Sequence, residues 1–457
     1  MNTTMPKENK MGVMPVKQLI VNMSVPMMIS MLVQALYNVV DSIFVAQISE
    51  NALAAVTFAF PLQNLMIAFA SGLGVGINSL LSRDLGEHNY EHSNAVANNG
   101  MFLTAVNYVI FLLVGAFLSH PFICSQTTDP EIIAAGDTYL SIVCMMSFGL
   151  FFQITFERLL QATGRTMLSM FSQLLGAVIN IIFDPILIFG LFGFPELGVA
   201  GAAYATVLGQ CIAAVVGLML NLRLNHEIQF SLAKILHPIP TIIGKIYYVG
   251  IPSMMMMSIG SVMTYLMNRI LVGFSTTATA VFGVYYKLQS FFFMPVFGLN
   301  NGLIPILAFN YGARKKSRID EALRFSLLLA ICIMLCGTLT MELIPGPLLN
   351  MFSASDEMRQ MGICALRTIA IHFPLAACGI VMGSIFQAFG QSVYSLIVSL
   401  GRQLVVLIPV AWLLSLTGNV NNVWWCFLIA EGVSLILSLF FFRRVYRKLV
   451  LPLDTAF

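Results

Sequence analysis

From Leu19 to Phe442 the chain is a succession of apolar runs, most of them twenty residues or longer, separated by short polar segments. Hydrocarbon offers no partner to a backbone N–H or C=O, so a segment that crosses a bilayer must be a helix or part of a closed barrel. Runs of this length read as helices, because about 20 residues at 1.5 Å per residue cover the ~30 Å of hydrocarbon. Only 9% of the 457 residues are charged, against about 25% in soluble domains. The chain is therefore an all-α integral membrane protein. Its formal net charge of +3 says little about partners, and no nucleic acid is expected among them. Residues 1–18 are polar to mixed, and the run that follows is too long for a signal h-region, so no cleaved leader is expected. The eight cysteines lie mostly within apolar runs and form no C-x-x-C, which points to neither a zinc site nor a disulfide framework.

Twelve helices are read, near 19–47, 52–82, 96–118, 134–157, 166–191 and 198–222, then 245–273, 279–307, 322–346, 359–386, 392–416 and 422–444. If the N-terminus is inside, the inner segments hold 18 of the 23 Lys and Arg, the outer loops only Arg359, and the spans four. The bias predicts that both termini are cytoplasmic. An internal offset of 226 residues aligns Pro26 with Pro252 and Gln63 with Gln289. It also lays residues 71–86 (SGLGVGINSLLSRDLG) over 297–312 (FGLNNGLIPILAFNYG). Six spans is an even number, so both halves enter the membrane in the same sense. The fold predicted is two parallel six-helix lobes, a 6+6 repeat, an architecture of carriers that work by alternating access. The expected organisation is a cytoplasmic tail at 1–18, an N-lobe at 19–222, a cytoplasmic linker at 223–244, a C-lobe at 245–444 and a cytoplasmic tail at 445–457.

Asp41 sits inside the first span. Ser30, Gln34, Tyr37, Asn38 and Asp41 recur at i, i+4, i+7, i+8 and i+11, one face of a helix. The fifth span repeats the pattern with Ser169, Gln173, Gly176, Asn180 and Asp184. Pro185, which follows, has no N–H, so the carbonyl of Ile181 loses its helical partner. Polar stripes in membrane helices face a cavity or another helix, and Gln173 is placed along such a cavity. Both spans run in the same direction, so the two acids lie at similar depth. Carboxylates that approach in low dielectric resist joint ionisation, which suits a proton carrier. The same pair, helped by Asn180 and backbone oxygens, could hold Na⁺. A purely packing role for an ionised Asp at mid-helix must meet a cost of about 2.5–3.5 kcal/mol, and two such residues on polar stripes favour function.

At the same offset Asp41 aligns with Met267 and Asp184 with Val410, so the second half lacks both acids. It carries Arg269, Lys287, Arg367 and Arg402 within its spans, with Glu431 as its deep acid. Glu431 is expected to neutralise one of these cations. The rest, Arg269 and Lys287 among them, are expected to face a water-filled cavity. Glu157 and Arg158 end the fourth span and are read as an interfacial ion-pair network, with Arg83 or Arg165, that could serve as an inner gate. The glycines of 72–76 lack the Lys-Ser/Thr of a phosphate loop and read as close helix packing. His372 reads as a packing residue.

These features together resemble the MATE (multidrug and toxic compound extrusion) family. The resemblance rests on the 6+6 repeat, the prolines near the start of spans one and seven, and Asp41. It rests also on G-x-x-x-G followed by Ser-Arg-x-Leu-Gly, on QATGR (161–165) and QAFGQ (387–391), and on NIIFDPILIFGLFG (180–193). It covers essentially the whole chain. It implies an antiporter of the plasma membrane that expels organic cations in exchange for H⁺ or Na⁺, with no cofactor beyond that ion and no obligate protein partner. Lipid is its only other neighbour. It implies further that Asp41, Asn180 and Asp184 form the ion-coupling site, joined by Thr206 in GAAYAT (201–206), and that Gln34, Tyr37 and Asn38 line the same cavity. The NorM-like branch carries acids in spans seven and ten. Here those regions read SIGSV (258–262) and IHFPLAACG (371–379), without acids, as in the DinF-like or MepA-like branch. One alternative is a lipid-linked oligosaccharide flippase that binds pyrophosphate on the basic residues of the second half. An intramembrane enzyme using Asp41 and Asp184 as acid and base is disfavoured, since no nucleophile, H-E-x-x-H or phosphate loop accompanies them.

Overall fold

The computed structural model describes residues 9–352 and 354–454. The expected tails therefore lie partly outside the described residues, at 1–8 and 455–457. Among the described residues there is no strand. Ten helices among the described residues are long and apolar enough to cross a membrane, and twelve spans result when each of two bent pairs counts as one. In the first half these are α1 (Val16–Ala46), α2 (Glu50–Gly86), α3 (Tyr90–Phe117), α4 (Pro130–Met145 with Phe148–Ala162), α5 (Thr166–Phe189) and α6 (Val199–Leu224). The second half has α7 (Pro240–Val272), α8 (Thr276–Gly312), α9 (Lys316–Leu343), α10 (Asp356–Ala370 with Phe373–Ala388), α11 (Ser392–Ser415) and α12 (Val420–Leu453).

Two helices are much longer than the apolar run alone predicts. Both α2 and α8 have 37 residues, roughly 55 Å at 1.5 Å per residue, and so project beyond the ~30 Å of hydrocarbon. Their starts are set alike. Ser49 accepts from the Ala52 N–H and Ser275 from the Ala278 N–H, side-chain caps that satisfy orphan donors of the first turn. The two caps are themselves 226 residues apart. The bends of α4 and α10 are 45° each and fall at Met146–Ser147 and at Ile371–His372, the equivalent place in each half. A period search sees through such a break, because the apolar pattern resumes on its far side.

Both described ends of the chain lie on one face of the molecule. Arg318, at the start of α9, donates to the Met11 carbonyl, and Tyr446 near the end of α12 donates to Asp320. On this termini face the halves close along a seam in which α2 packs on α7 and α8 on α1. Glycine makes the closeness available. A Cβ added at Gly72 would lie 2.7 Å from the Met254 nitrogen, and one at Gly298 would lie 2.6 Å from that of Met28. Likewise Gly76 faces Gly250, and Gly302 faces Ser24. A Cβ at Gly86 would meet the Phe309 carbonyl carbon at 2.9 Å, and one at Gly312 that of Arg83 at 3.1 Å. Every contact has its counterpart 226 residues on, so the seam has approximate two-fold symmetry. Arg83 adds a cation–π contact across it, 5.1 Å above the Tyr311 ring.

Further along, Asn64 of α2 donates to Ser261 of α7 at 2.9 Å. Beyond that level, among the described residues, no hydrogen bond joins the lobes towards the opposite face. The hydrogen bonds between the lobes are thus confined to the termini half, and Asn38 is exposed in the other half. The seam argument makes a comparison within one helix. Gly302→Ala should destabilise the protein by about 1–3 kcal/mol, as overpacking does. Gly283→Ala, also in α8 but with nothing within 4 Å of its Cβ, should be neutral or gain up to about 1 kcal/mol. Thermal unfolding of the two purified variants checks the difference in sign.

Candidate functional site

The two polar stripes meet. Helices α1 and α5 pack along them, and Gln173 donates to Gln34 across the contact at 3.2 Å. Ser30 and Ser169 are fully buried at the termini-side end of the stripes. Helix α6 is drawn against α5 by a second small-residue contact, in which a Cβ on Gly209 would lie 2.6 Å from the Gly176 carbonyl oxygen. That closeness brings Thr206 to Asn180. With its amide oriented to serve both neighbours, Asn180 donates to Asp184 Oδ2 at 3.3 Å. Its own Oδ1 accepts from Thr206 Oγ1 at 3.2 Å and from the Thr206 N–H at 3.1 Å. Thr206 thus fixes the direction of the amide, and the amide hands a donor to the acid.

Asp41 and Asp184 come within hydrogen-bonding reach of one another. Asp184 is completely buried. Each acid has an Oδ1 that is buried and finds no partner among the described residues. Buried carboxylate oxygens without donors are costly, and two such groups in contact cannot both stay ionised cheaply. A shared proton satisfies the pair, and so does a small cation held by their oxygens. Tyr37 lies within electrostatic range of both acids and of Glu157, and Asn38 stands on the exposed side of α1. Two neighbours escaped the sequence reading. Tyr139 of α4 is buried within range of Asp41 and Asp184, and its hydroxyl donates to Gln63 of α2 at 3.5 Å. The repeat marked Gln63, but nothing in a linear pattern marks a tyrosine that a neighbouring helix presents to the site.

Glu157 and Arg158 depart from expectation. They are buried, with 7% and 9% exposure, and do not join Arg83 or Arg165. Glu157 accepts from Gln153 at 2.9 Å. Arg158 reaches Gln161 at 3.0 Å and crosses the seam to Asn301 of α8 at 3.2 Å. Arg83 instead pairs with Glu87, four residues on, and Arg165 Nε has no partner among the described residues. Neutral amides, not an ion-pair network, satisfy this arginine. They do so because α4 ends against α8 in the seam rather than at the water interface.

The basic residues of the second lobe do not converge. Arg402 pairs with Glu431 at 3.0 Å, the neutralisation expected, on a stretch of α11 that widens to a π-helix over Gly401–Leu407. Arg367 pairs with Glu342. Arg269 lines a groove of about 580 Å³ whose walls, Leu266, Ile270, Ile408, Pro409, Trp412 and Ser415, all belong to α7 and α11. Lys287 is exposed on α8. His372 is buried against Phe427 and Phe373 and bonds the Ile369 carbonyl, as a packing residue would. All eight cysteines are free.

Comparison with known proteins agrees with this fold. The MatE family model matches residues 26–186 and 252–413, two segments that begin at the prolines the internal offset aligns. The multidrug export protein MepA of Staphylococcus haemolyticus (strain JCSC1435) is 26% identical over 434 residues, 93% of each chain. MepA of Staphylococcus aureus (strain MRSA252) is 24% identical over 420 residues, 92% of each. A solved structure described as the outward-facing conformation of a multidrug resistance MATE family transporter of the MOP superfamily superposes with a TM-score of 0.91 at 26% identity. It covers 97% of this chain and 99% of that one. A MOP superfamily transporter from Pyrococcus furiosus Vc1, described as having a binding pocket of reverse polarity, gives 0.90 at 25% identity, with 98% and 99% covered.

The Arg402–Glu431 pair makes a stability prediction. Arg402→Met strands a carboxylate whose side chain is 5% exposed and should cost about 3 kcal/mol. The double variant Arg402→Met/Glu431→Leu should recover most of that loss, and thermal melts of the three proteins test it. Equal losses in the single and double variants would show that the charge pair is not what α11 and α12 rely on.

Proposed function

As a member of the MatE family, matched in both lobes, the chain is a multi-pass membrane transporter and not an enzyme, and we propose that it exports small organic molecules, chiefly organic cations, across the plasma membrane in exchange for H⁺ or Na⁺. The multidrug export named for its MepA relatives supports the substrate class. The lysine and arginine bias supports a cytoplasmic termini face, so the glycine seam closes the cytoplasmic side.

The observation that carries the reading is the contact of Asp41 with Asp184, each with a buried oxygen left without a partner, beside the exposed end of a polar stripe. In this proposal the pair, steered by Asn180 and Thr206, takes up a coupling ion from outside. Occupancy removes the repulsion between the acids and lets α1 and α5 close on each other. An empty, ionised pair offers negative charge to a cation in the cavity that Gln34, Tyr37, Asn38 and Gln173 line. Ion and substrate therefore compete for one electrostatic resource, and each favours release of the other. Arg158, by reaching Asn301, holds the inner side shut while the exchange takes place outside. For Na⁺ the oxygens available are those of Asp41, Asp184 and Asn180 and the Ile181 carbonyl freed by Pro185.

The flippase reading needs convergent positive charge for a pyrophosphate. It is weakened because Arg402 and Arg367 are each committed to an acid.

The test uses everted vesicles with an imposed pH gradient and a lipophilic cation such as ethidium. Wild type should release protons in proportion to the cation it moves. Asp41→Asn should lose at least about tenfold of that release, since it removes one of two coupled titrating groups. If a sodium gradient rather than a proton gradient sustains transport, the same site carries Na⁺. Coupling that survives in Asp41→Asn would reduce Asp41 to packing, and failure to move any cation by folded protein would favour the flippase.

A further inference from the structure

Residues 9–14 (NKMGVM) precede α1, in the stretch expected to form a cytoplasmic tail, and they are held against both lobes. Lys10–Val13 form one helical turn, capped by Asn9 Oδ1, which accepts from the Met11 N–H at 2.9 Å. A single turn cannot hold itself in water, because nucleation costs more than its few bonds return. Its neighbours hold it. Met11 is fully buried. Asn9 Nδ2 donates to the Thr163 carbonyl at 3.1 Å and to Glu227 at 2.8 Å, in the α4–α5 and α6–α7 connections. Lys10 reaches Asn22 on α1 at 2.6 Å.

The second lobe grips the same turn by its backbone. Met11 offers its carbonyl to Asn310 at 3.1 Å and to Arg318 at 3.0 Å. Gly12 offers its own to Lys315 at 2.9 Å, and Met14 to Arg318 at 2.7 Å. Carbonyls at the end of a helical turn have no internal partner, and cationic donors make the stronger kind of hydrogen bond. Gly12 also lies against the Phe309 ring, which a Cβ would approach to 3.0 Å. Phe309 is the residue whose backbone meets Gly86 in the seam.

The internal repeat says what this segment corresponds to. At the offset of 226, residues 9–14 align with 235–240, the end of the connection between the lobes. That connection is held to the first lobe by Asn99, which accepts from the Ile239 N–H at 2.7 Å, and by Asn98, which accepts from the Ser231 N–H at 2.9 Å. The seam is thus bridged twice on the termini face. One bridge is covalent and permanent. The other, related to it by the same two-fold, is made of hydrogen bonds and one buried methionine, and it can let go.

We propose that residues 9–14 are a detachable latch which holds the termini face closed. Resting on the rocking-lobe reading above, release of the Met11, Gly12 and Met14 carbonyls by Asn310, Lys315 and Arg318 is a step every inward opening must include. The latch travels with α1, so it must leave the second lobe whenever that face parts.

The test reads conformation without substrate or ion gradient. Nitroxide labels are placed at Tyr90 and Arg444, exposed residues on the termini face of the two lobes, through a ketone-bearing residue that leaves the native cysteines in place. Electron–electron distances are then measured in lipid nanodiscs. Wild type should give mainly the short separation. Arg318→Ala should raise the long-distance population about tenfold, as loss of charge-assisted bonds implies. Asn9→Ala/Met11→Ser, which loosens the latch from its own side, should do the same and decides the matter if Arg318→Ala does not fold. An unchanged distribution in a folded latch variant overturns the proposal, even where drug-driven proton release is intact. A shifted distribution in a chain that exchanges no ion would keep the latch and unseat the antiport reading.

Discussion

Two helix backbones can lie almost in contact only where no side chain stands between them, and the rest of this molecule is arranged around one such place. Between membrane helices there is no hydrophobic force to speak of, because lipid is as apolar as leucine, so association depends on close van der Waals fit. The seam supplies that fit through Gly72, Gly76 and Gly86 against α7 and α8, and through Gly298, Gly302 and Gly312 against α1 and α2. Its confinement to one end has a direct consequence. The far halves of α1, α2, α7 and α8 are free to diverge, and on α1 Asn38 is left exposed there.

The frame is symmetric and the chemistry on it is not. Duplication copied the prolines, the glycines, the serine caps and the bends of α4 and α10. It did not leave acids in both halves, for Met267 and Val410 stand where Asp41 and Asp184 would repeat. The second lobe spends its one deep acid on Arg402. A paired charge of that kind fixes helices relative to one another. The acids of the first lobe sit beside amides and hydroxyls that orient them without neutralising them. The first lobe thus holds two buried acids that no cation neutralises among the described residues, while the second commits Glu431 to Arg402.

What could be read from the residues was what has a period or a count. Span length, the lysine and arginine bias, the offset of 226 and the helical stripe ending at Asp41 are all linear, and the stripes of α1 and α5 do face each other through Gln34 and Gln173. What could not be read is set by which helix a side chain meets. Arg158 sits at the end of a span, where such residues reach water, yet α4 ends inside the seam and the guanidinium turns to Asn301. Arg269 and Lys287 are intramembrane cations like Arg402, and only packing separates the one that found an acid from the two that did not. The segment 9–14 has the composition of a tail, and its order comes largely from partners more than 150 residues away.

Helix α1 takes part in all three of these features. Its first turns carry the latch, its Ser24 and Met28 lie in the seam, and Asp41 stands three turns beyond. Pro26 falls between, inside the seam itself. Having no N–H, it leaves the Asn22 carbonyl without its helical donor, and the donor found there is the Thr166 hydroxyl at 3.5 Å, at the start of α5. The helix that bears Asp184 therefore supports α1 at its weakest point and meets it again at the acids. A change in the repulsion between Asp41 and Asp184 would act on one end of a rod whose other end is pinned by glycine contacts and by residues 9–14, with a proline between the two. The contact of the acids and the closure of the seam are, on this geometry, two loads on the same helix.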